Sequence, residues 1–458
     1  MRPAFTTIIA SCVAVLPLSW PVGAQAAPPQ PVDPAIYVQA ASEAAKWIRT
    51  HQVETARGLA WPASPEGDDR IVRNLYHGTP GVILFFLELA RATSDQTYLE
   101  EASMGADDLV AHLEDLAVSD GLGLYVGVAG AGYTLNETHK ATQLARHRDA
   151  AARCVSIIER EWNARKDQPD AAGEVTDVIA GYAGTGLFLL YAHAQWQDSR
   201  ALPLARQLGD RLVAMGVERG EGTMWPMAAG VKNTYPNFSH GTAGVSYFLA
   251  SLGAATKDAK YTEAAIRGAK YLISIADTTN DHCLIPRFDP SEYGEGESPL
   301  HYLGWCHGPA GTGRLFHLLY KVTGDGQWRG WRDRCGKSLL DAGIPEKRPE
   351  GFWSNVGVCC GNAGVADFAL AMYRETDDPA YLDLCKRLTA DLMARSQVDV
   401  DLGLRKWTHA EHRAQPDNRA PQTGLMQGAS GIGLWLLKWR AFLVKRPFGI
   451  RLPDDPFD

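Results

Sequence analysis

The 458-residue sequence predicts an all-α protein, a seven-fold α/α toroid in which a ring of seven outer helices surrounds a ring of seven inner ones. Three observations lead there. A short glycine motif recurs seven times, an amphipathic segment precedes each copy and an apolar one follows it, and no alternating-hydrophobic run is strong enough to support a competing sheet.

The motif copies are His77-Gly78-Thr79-Pro80-Gly81, Gly127-Val128-Ala129-Gly130, Gly181-Tyr182-Ala183-Gly184, Gly241-Thr242-Ala243-Gly244, Gly308-Pro309-Ala310-Gly311, Gly361-Asn362-Ala363-Gly364 and Gly428-Ala429-Ser430-Gly431. Their first glycines stand 49 to 67 residues apart. Residues 35–50, 98–114, 146–165, 202–218, 261–276, 328–340 and 381–395 carry apolar side chains at a period near 3.6 and read as half-exposed outer helices. Residues 82–90, 187–192, 245–252, 315–320 and 432–439 have few charges and read as buried inner helices. The paired glycines serve the turn and the tight inner packing, so we assign them to the scaffold. In a closed ring all seven inner helices begin at one mouth, where their N-terminal partial positive charges gather.

The N-terminus offers Arg2, an apolar stretch from Ala4 to about Leu18 and the small-x-small sequence Ala24-Gln25-Ala26, the pattern of a cleaved export signal. A short membrane anchor is the alternative, though the apolar run is brief and contains Pro17. The expected organisation is therefore a signal peptide at 1–26, a linker at 27–33, the toroid at 34–445 and a C-terminal tail at 446–458, in a protein exported to the periplasm or beyond the cell. No later stretch is apolar enough for a membrane span. The net charge of -8 disfavours a general electrostatic grip on nucleic acid or anionic lipid, and fits a peptide or small-molecule partner.

Because the repeats share a scaffold, chemistry should lie where equivalent positions differ. The two residues before each first glycine are Tyr76 and His77, Tyr125 and Val126, Ile179 and Ala180, Ser239 and His240, Cys306 and His307, Cys359 and Cys360, and Met426 and Gln427. The fifth and sixth repeats are neighbours and bring three thiols together. Zinc favours tetrahedral thiolate and imidazole donors, with three protein ligands at catalytic sites and four at structural ones, so Cys306, Cys359 and Cys360 form a candidate zinc site with His307 a possible fourth ligand. A disulfide and plainly buried thiols are the alternatives. Cys154, Cys335 and Cys385 lie in outer helices and read as buried small residues, and Cys283 is left unassigned. His409 and His412, near the last motif, read as part of a polar loop or of a lid over the mouth.

Five stretches, Asp177-Val178-Ile179-Ala180-Gly181, Pro236-Asn237-Phe238-Ser239-His240-Gly241, Trp305-Cys306-His307-Gly308, Cys359-Cys360-Gly361 and Gly424-Leu425-Met426-Gln427-Gly428, resemble the LanC and LanC-like family of zinc-dependent lanthionine cyclases, over roughly residues 34 to 445. The resemblance implies zinc held by Cys306, Cys359 and Cys360, and His240 and Asp177 as the catalytic acid/base residues. It implies thiol addition to a dehydroamino acid: a substrate thiolate attacks the β-carbon, and His240, oriented or charged by Asp177, protonates the resulting enolate. Two departures stand out. The family usually has Cys-His-Gly at the sixth motif, where this chain has the three-cysteine variant found in some two-domain synthetases, and the better known cyclases tend to carry arginine at Tyr302. The expected activity is thioether ring formation in a peptide. Its rivals are addition of a free thiol such as glutathione, a secreted glycosidase on the same kind of toroid, and a non-catalytic zinc-containing peptide-binding protein.

Overall fold

A computed structural model describes residues 33–167, 174–228, 231, 234–294 and 296–457. The expected signal peptide and all of the expected linker except Asp33 lie outside the described residues. The helices run, in chain order, α1 (Ala35–Arg49), α2 (Thr79–Thr93), α3 (Gln96–Ala111) with its short continuation α4 (Leu113–Ser119), α5 (Val128–Thr142), α6 (Ala145–Arg165), α7 (Tyr182–Trp196) and α8 (Ala201–Met215). They continue with α9 (Thr242–Thr256), α10 (Ala259–Ser274), α11 (Pro309–Thr323), α12 (Gly326–Asp341), α13 (Asn362–Thr376), α14 (Pro379–Ala394) and α15 (Ala429–Leu443).

The double ring closes as the repeats predict. The inner helices α2, α5, α7, α9, α11, α13 and α15 touch in that order, and α15 returns to α2. Each inner helix packs on the outer helix that follows it, and the last, α15, packs on α1, so the two ends of the toroid are joined by a helix pair. Every inner helix is 15 residues long and starts at the first glycine of its motif, with Gly78, Gly127, Gly181, Gly241, Gly308, Gly361 and Gly428 at the N-caps. The second glycine is needed for contact: a Cβ at Gly311 would lie 1.9 Å from the Trp305 carbonyl oxygen, and Gly130, Gly184, Gly244, Gly364 and Gly431 face the carbonyl six residues upstream just as closely. A recurring link joins the helices of a hairpin. After α2, α9, α11 and α13, one left-handed residue is followed by Asp95, Asp258, Asp325 or Asp378, whose carboxylate caps the next helix by accepting a backbone N–H two residues on.

Small antiparallel strands decorate three of the connections from an outer helix to the next motif: β1 (Val53–Glu54) with β2 (Leu59–Ala60), β3 (Val217–Arg219) with β4 (Gly222–Met224), and the sheet β5 (Ser396–Asp399), β6 (Leu404–Ala410), β7 (Arg419–Pro421). This corrects the loop expected around His409. β6 pairs on both sides, and Trp407 and His409 point inward while His412 stays exposed beyond the strand end. No described helix is long and apolar enough to cross a membrane.

Residues 446–457 fold back against the ring instead of trailing away. Phe457 packs on His317 and Phe368, and the buried Asp454 carboxylate accepts hydrogen bonds from Tyr125 Oη (3.1 Å) and Trp305 Nε1 (3.0 Å).

Candidate metal centre and the cavity above it

A belt of main-chain hydrogen bonds sets the site. In six of the seven repeats the residue two before the first glycine bonds to its counterpart in the next: Ser239 N–H donates to Cys306, Cys306 to Cys359, Cys359 to Met426, Met426 to Tyr76, Tyr76 to Tyr125 and Tyr125 to Ile179, at 2.9–3.1 Å, the run among the described residues being open between Ile179 and Ser239. Cys306 and Cys359 are therefore adjacent rungs, and Cys360 follows one of them in sequence. The Sγ atom of Cys360 lies 3.3 Å from that of Cys306 and 3.3 Å from that of Cys359. All three cysteines are buried, and none is in a disulfide.

These thiols lean on one another electrostatically. The Cys306 thiol, then that of Cys360, donates to Cys359 and holds its pKa well below the ordinary thiol value, and the donors' own pKa values are driven well above it. A divalent cation would stabilise all three as thiolates. Zinc–sulfur bonds of about 2.3 Å in a tetrahedron put sulfurs roughly 3.8 Å apart, so the observed triangle fits the ion after opening by about half an ångström. Among the described residues these three side chains alone form a set of potential ligand atoms within 4.8 Å of one another. His307 does not complete the set. Its ring lies among Tyr235, His240 and Tyr302.

Gln427 braces the cluster from the seventh repeat. Its amide nitrogen is 3.9 Å from Cys360 Sγ and donates to Tyr76 Oη at 3.1 Å, while its oxygen accepts from Asn355 Nδ2 at 2.8 Å. His240 stands one repeat away on the other side. Its Nδ1 is 2.6 Å from Asp177 Oδ2, and Asp177, only 1% exposed, is fixed by the N–H groups of Ala180 and Gly181 at its other oxygen. Burial would lower the His240 pKa, but the hydrogen bond and charge of Asp177 more than offset it, and the net shift is upward.

The cysteines and His240 line one cavity of about 490 Å³, together with Tyr76, Tyr235, Arg287, Tyr302, His307, Trp353 and the segment Glu411–Gln415. Residues 411–415 line the cavity, while His409 is buried with its pKa lowered by desolvation to about 4. Among the described residues Glu411 is the sole carboxylate lining the cavity; it contacts His77 Nε2 at 3.2 Å and accepts from Gln422, and despite burial these partners pull its pKa down to about 2.

Arg287, Gln427, Glu411 and Tyr76 were not picked out from the sequence. Tyr76 and Gln427 occupy the compared motif positions, so their placement was open to the same reasoning as that of the cysteines. Arg287 and Glu411 lie in connecting segments without periodicity and gave no signal.

Fold and site together define an α/α toroid with a cluster of three thiols placed to hold a metal ion at the start of its inner helices. The chain belongs to the lanthionine synthetase C-like protein family, which it matches over residues 72–441. It is 21% identical to glutathione S-transferase LANCL1 of Danio rerio over 316 residues, 67% of this chain and 71% of the relative. Nisin cyclase has a similar fold, with a TM-score of 0.58 at 16% identity over 80% of this chain and 88% of the cyclase. The toroid also resembles that of a GH76 α-mannanase from Bacteroides thetaiotaomicron, with a TM-score of 0.50 at 12% identity over 90% of this chain and 99% of the other.

Proposed function

We propose that the protein adds a small free thiol, of the glutathione kind, to dehydroamino acid residues. The observation that carries this reading is the single cavity that holds both the three cysteines and the His240–Asp177 pair. A zinc ion on Cys306, Cys359 and Cys360 would supply the Lewis acidity that makes an incoming thiol a thiolate at neutral pH. The chain's own groups do the rest. Asp177 holds the imidazole of His240 by Nδ1 and favours its protonated form, which presents Nε2–H as the acid for the enolate carbon. The proton lost from the thiol equals the one gained at the α-carbon, so the addition needs no other reactant. The named activity of the Danio rerio relative supports a small thiol as the donor in preference to a cysteine of the same peptide.

The glycosidase alternative finds little in the cavity. Sugar hydrolysis of the usual kind needs two carboxylates flanking the bond, one of them protonated, whereas among the described residues Glu411 lines the cavity alone and is held ionised. Incubating the zinc-loaded protein with a dehydroalanine peptide and glutathione, then weighing the peptide by mass spectrometry, tests the reading. A glutathione adduct forming faster than in the protein-free control is expected. Adducts at the control rate overturn it, and loss of a peptide cysteine without gain of mass would reinstate ring formation.

A further inference from the structure

Arg287 is the anomaly of the cavity. Its guanidinium carbon stacks 4.6 Å from the Phe288 ring centroid and 5.1 Å from that of Tyr302, and its Nε is buried without a hydrogen-bond partner. Among the described residues no carboxylate pairs with it. Other arginines withdrawn from solvent are treated differently: Arg314 pairs with Asp367, Arg332 with Glu375 and Arg348 with Asp391. Arg413, on the same cavity wall, has Glu350 at 2.5 Å. Glu411, the one acid among the described residues that line the cavity, is committed to His77 and Gln422.

Nor is the backbone beneath it loosely held. The Arg287 N–H donates to the Leu300 carbonyl at 2.8 Å, and Asn237 Nδ2 donates to the Pro286 carbonyl at 2.8 Å, which pins the loop to the fourth motif. A half-buried guanidinium packed against two rings, with its Nε unpartnered and no described carboxylate beside it, gains from a ligand that neutralises it. Its planar fork matches a carboxylate in two-point geometry.

We propose that Arg287 binds a carboxylate of the thiol substrate, so that the cavity selects small anionic thiols. The substrate role rests on the thiol-addition reading above; the binding site does not. A volume of about 490 Å³ lies within the roughly 300–1,000 Å³ usual for small-ligand pockets, and favours a compact thiol over a long acidic peptide as the source of that carboxylate.

The test is calorimetry on the zinc-loaded full chain with S-methylglutathione, which keeps both carboxylates and has no free thiol, and with its diethyl ester. The acid should bind at least tenfold more tightly than the ester. Arg287→Gln should weaken the acid on the order of 10- to 100-fold and leave the ester unchanged, while Arg287→Lys should restore part of the preference. A wild type that binds acid and ester alike, or binds neither, overturns the proposal without recourse to any variant. So does an Arg287→Gln protein that still prefers the acid. An acidic hexapeptide carrying S-methylcysteine that binds as tightly as S-methylglutathione would overturn the assignment to small thiols. The two readings fail separately: acid-selective binding without peptide modification removes the reaction and keeps the anchor, and modification without acid selectivity does the reverse.

Discussion

His240 reaches the cavity with its Nδ1 committed to Asp177, an arrangement that fixes both the ring's direction and its charge. Because the folded-state pKa of His240 is raised, the protonated imidazole is favoured by folding. That contribution to stability is complete below the unfolded value near 6.5 and is lost as pH rises through the folded value. The proposed acid should therefore fail on the alkaline side, with kcat/KM falling as pH passes the raised pKa. Asp177→Asn removes the main upward influence, so the descending limb should move to lower pH, with activity at neutral pH reduced by about 10²–10⁴-fold. A pH–rate profile whose limb stays in place would separate Asp177 from the acid's titration. At this scale the sequence was informative where neighbouring repeats disagree at one motif position, as they do at Ser239-His240, Cys306-His307 and Cys359-Cys360. It was silent on Arg287, whose meaning depends on Phe288 and Tyr302 closing on it in space and on the lack of a described carboxylate beside it.

Each element carries its own instructions. The outer helices were legible because their buried residues recur at helical spacing, as in α10, where Tyr261, Ala265, Gly268, Ala269 and Leu272 face inward. The inner helices were legible by their apolar composition and by the glycines that begin them. The strand β6 was not, since Arg405-Lys406-Trp407-Thr408-His409 mixes charge and aromatic residues, and its extended form comes from pairing with β5 and β7. The segment 446–457 lacks any period, and its placement depends on single contacts, chiefly Asp454 with Tyr125 and Trp305. The element-scale claim most open to measurement is that in six of the seven repeats the second motif glycine sets the approach of the inner helix to its own turn, Gly81 meeting Leu425 instead. Gly311→Ala would force a methyl group against the Trp305 carbonyl, 1.9 Å from where the Cβ must sit, next to the belt that places Cys306. Urea unfolding should show a loss at or above the upper end of the roughly 1–3 kcal/mol that overpacking costs. A change below about 0.5 kcal/mol, the level of an indifferent surface substitution, would show that the turn can yield.

Across the whole molecule, ring closure turns a local repeat into a site. The α1–α15 pair joins the first and last hairpins, so the belt of backbone bonds can run from Ser239 through Cys306, Cys359 and Met426 across the closure to Tyr76, Tyr125 and Ile179. Repeats distant in sequence thereby contribute to one mouth: His240 and Asp177 from the third and fourth, three thiols from the fifth and sixth, and Gln427 and Tyr76 from the seventh and first. An ion held at the cysteines would bind the folded chain and stabilise it by mass action. The central claim is that these three thiols form a zinc site, and the direct measurement is the metal content of the purified protein, wild type beside Cys359→Ala, by plasma mass spectrometry after dialysis. The account predicts one zinc per wild-type chain and a substoichiometric amount in the variant. Wild-type protein without zinc, or a Cys359→Ala protein that retains a full equivalent, would contradict it.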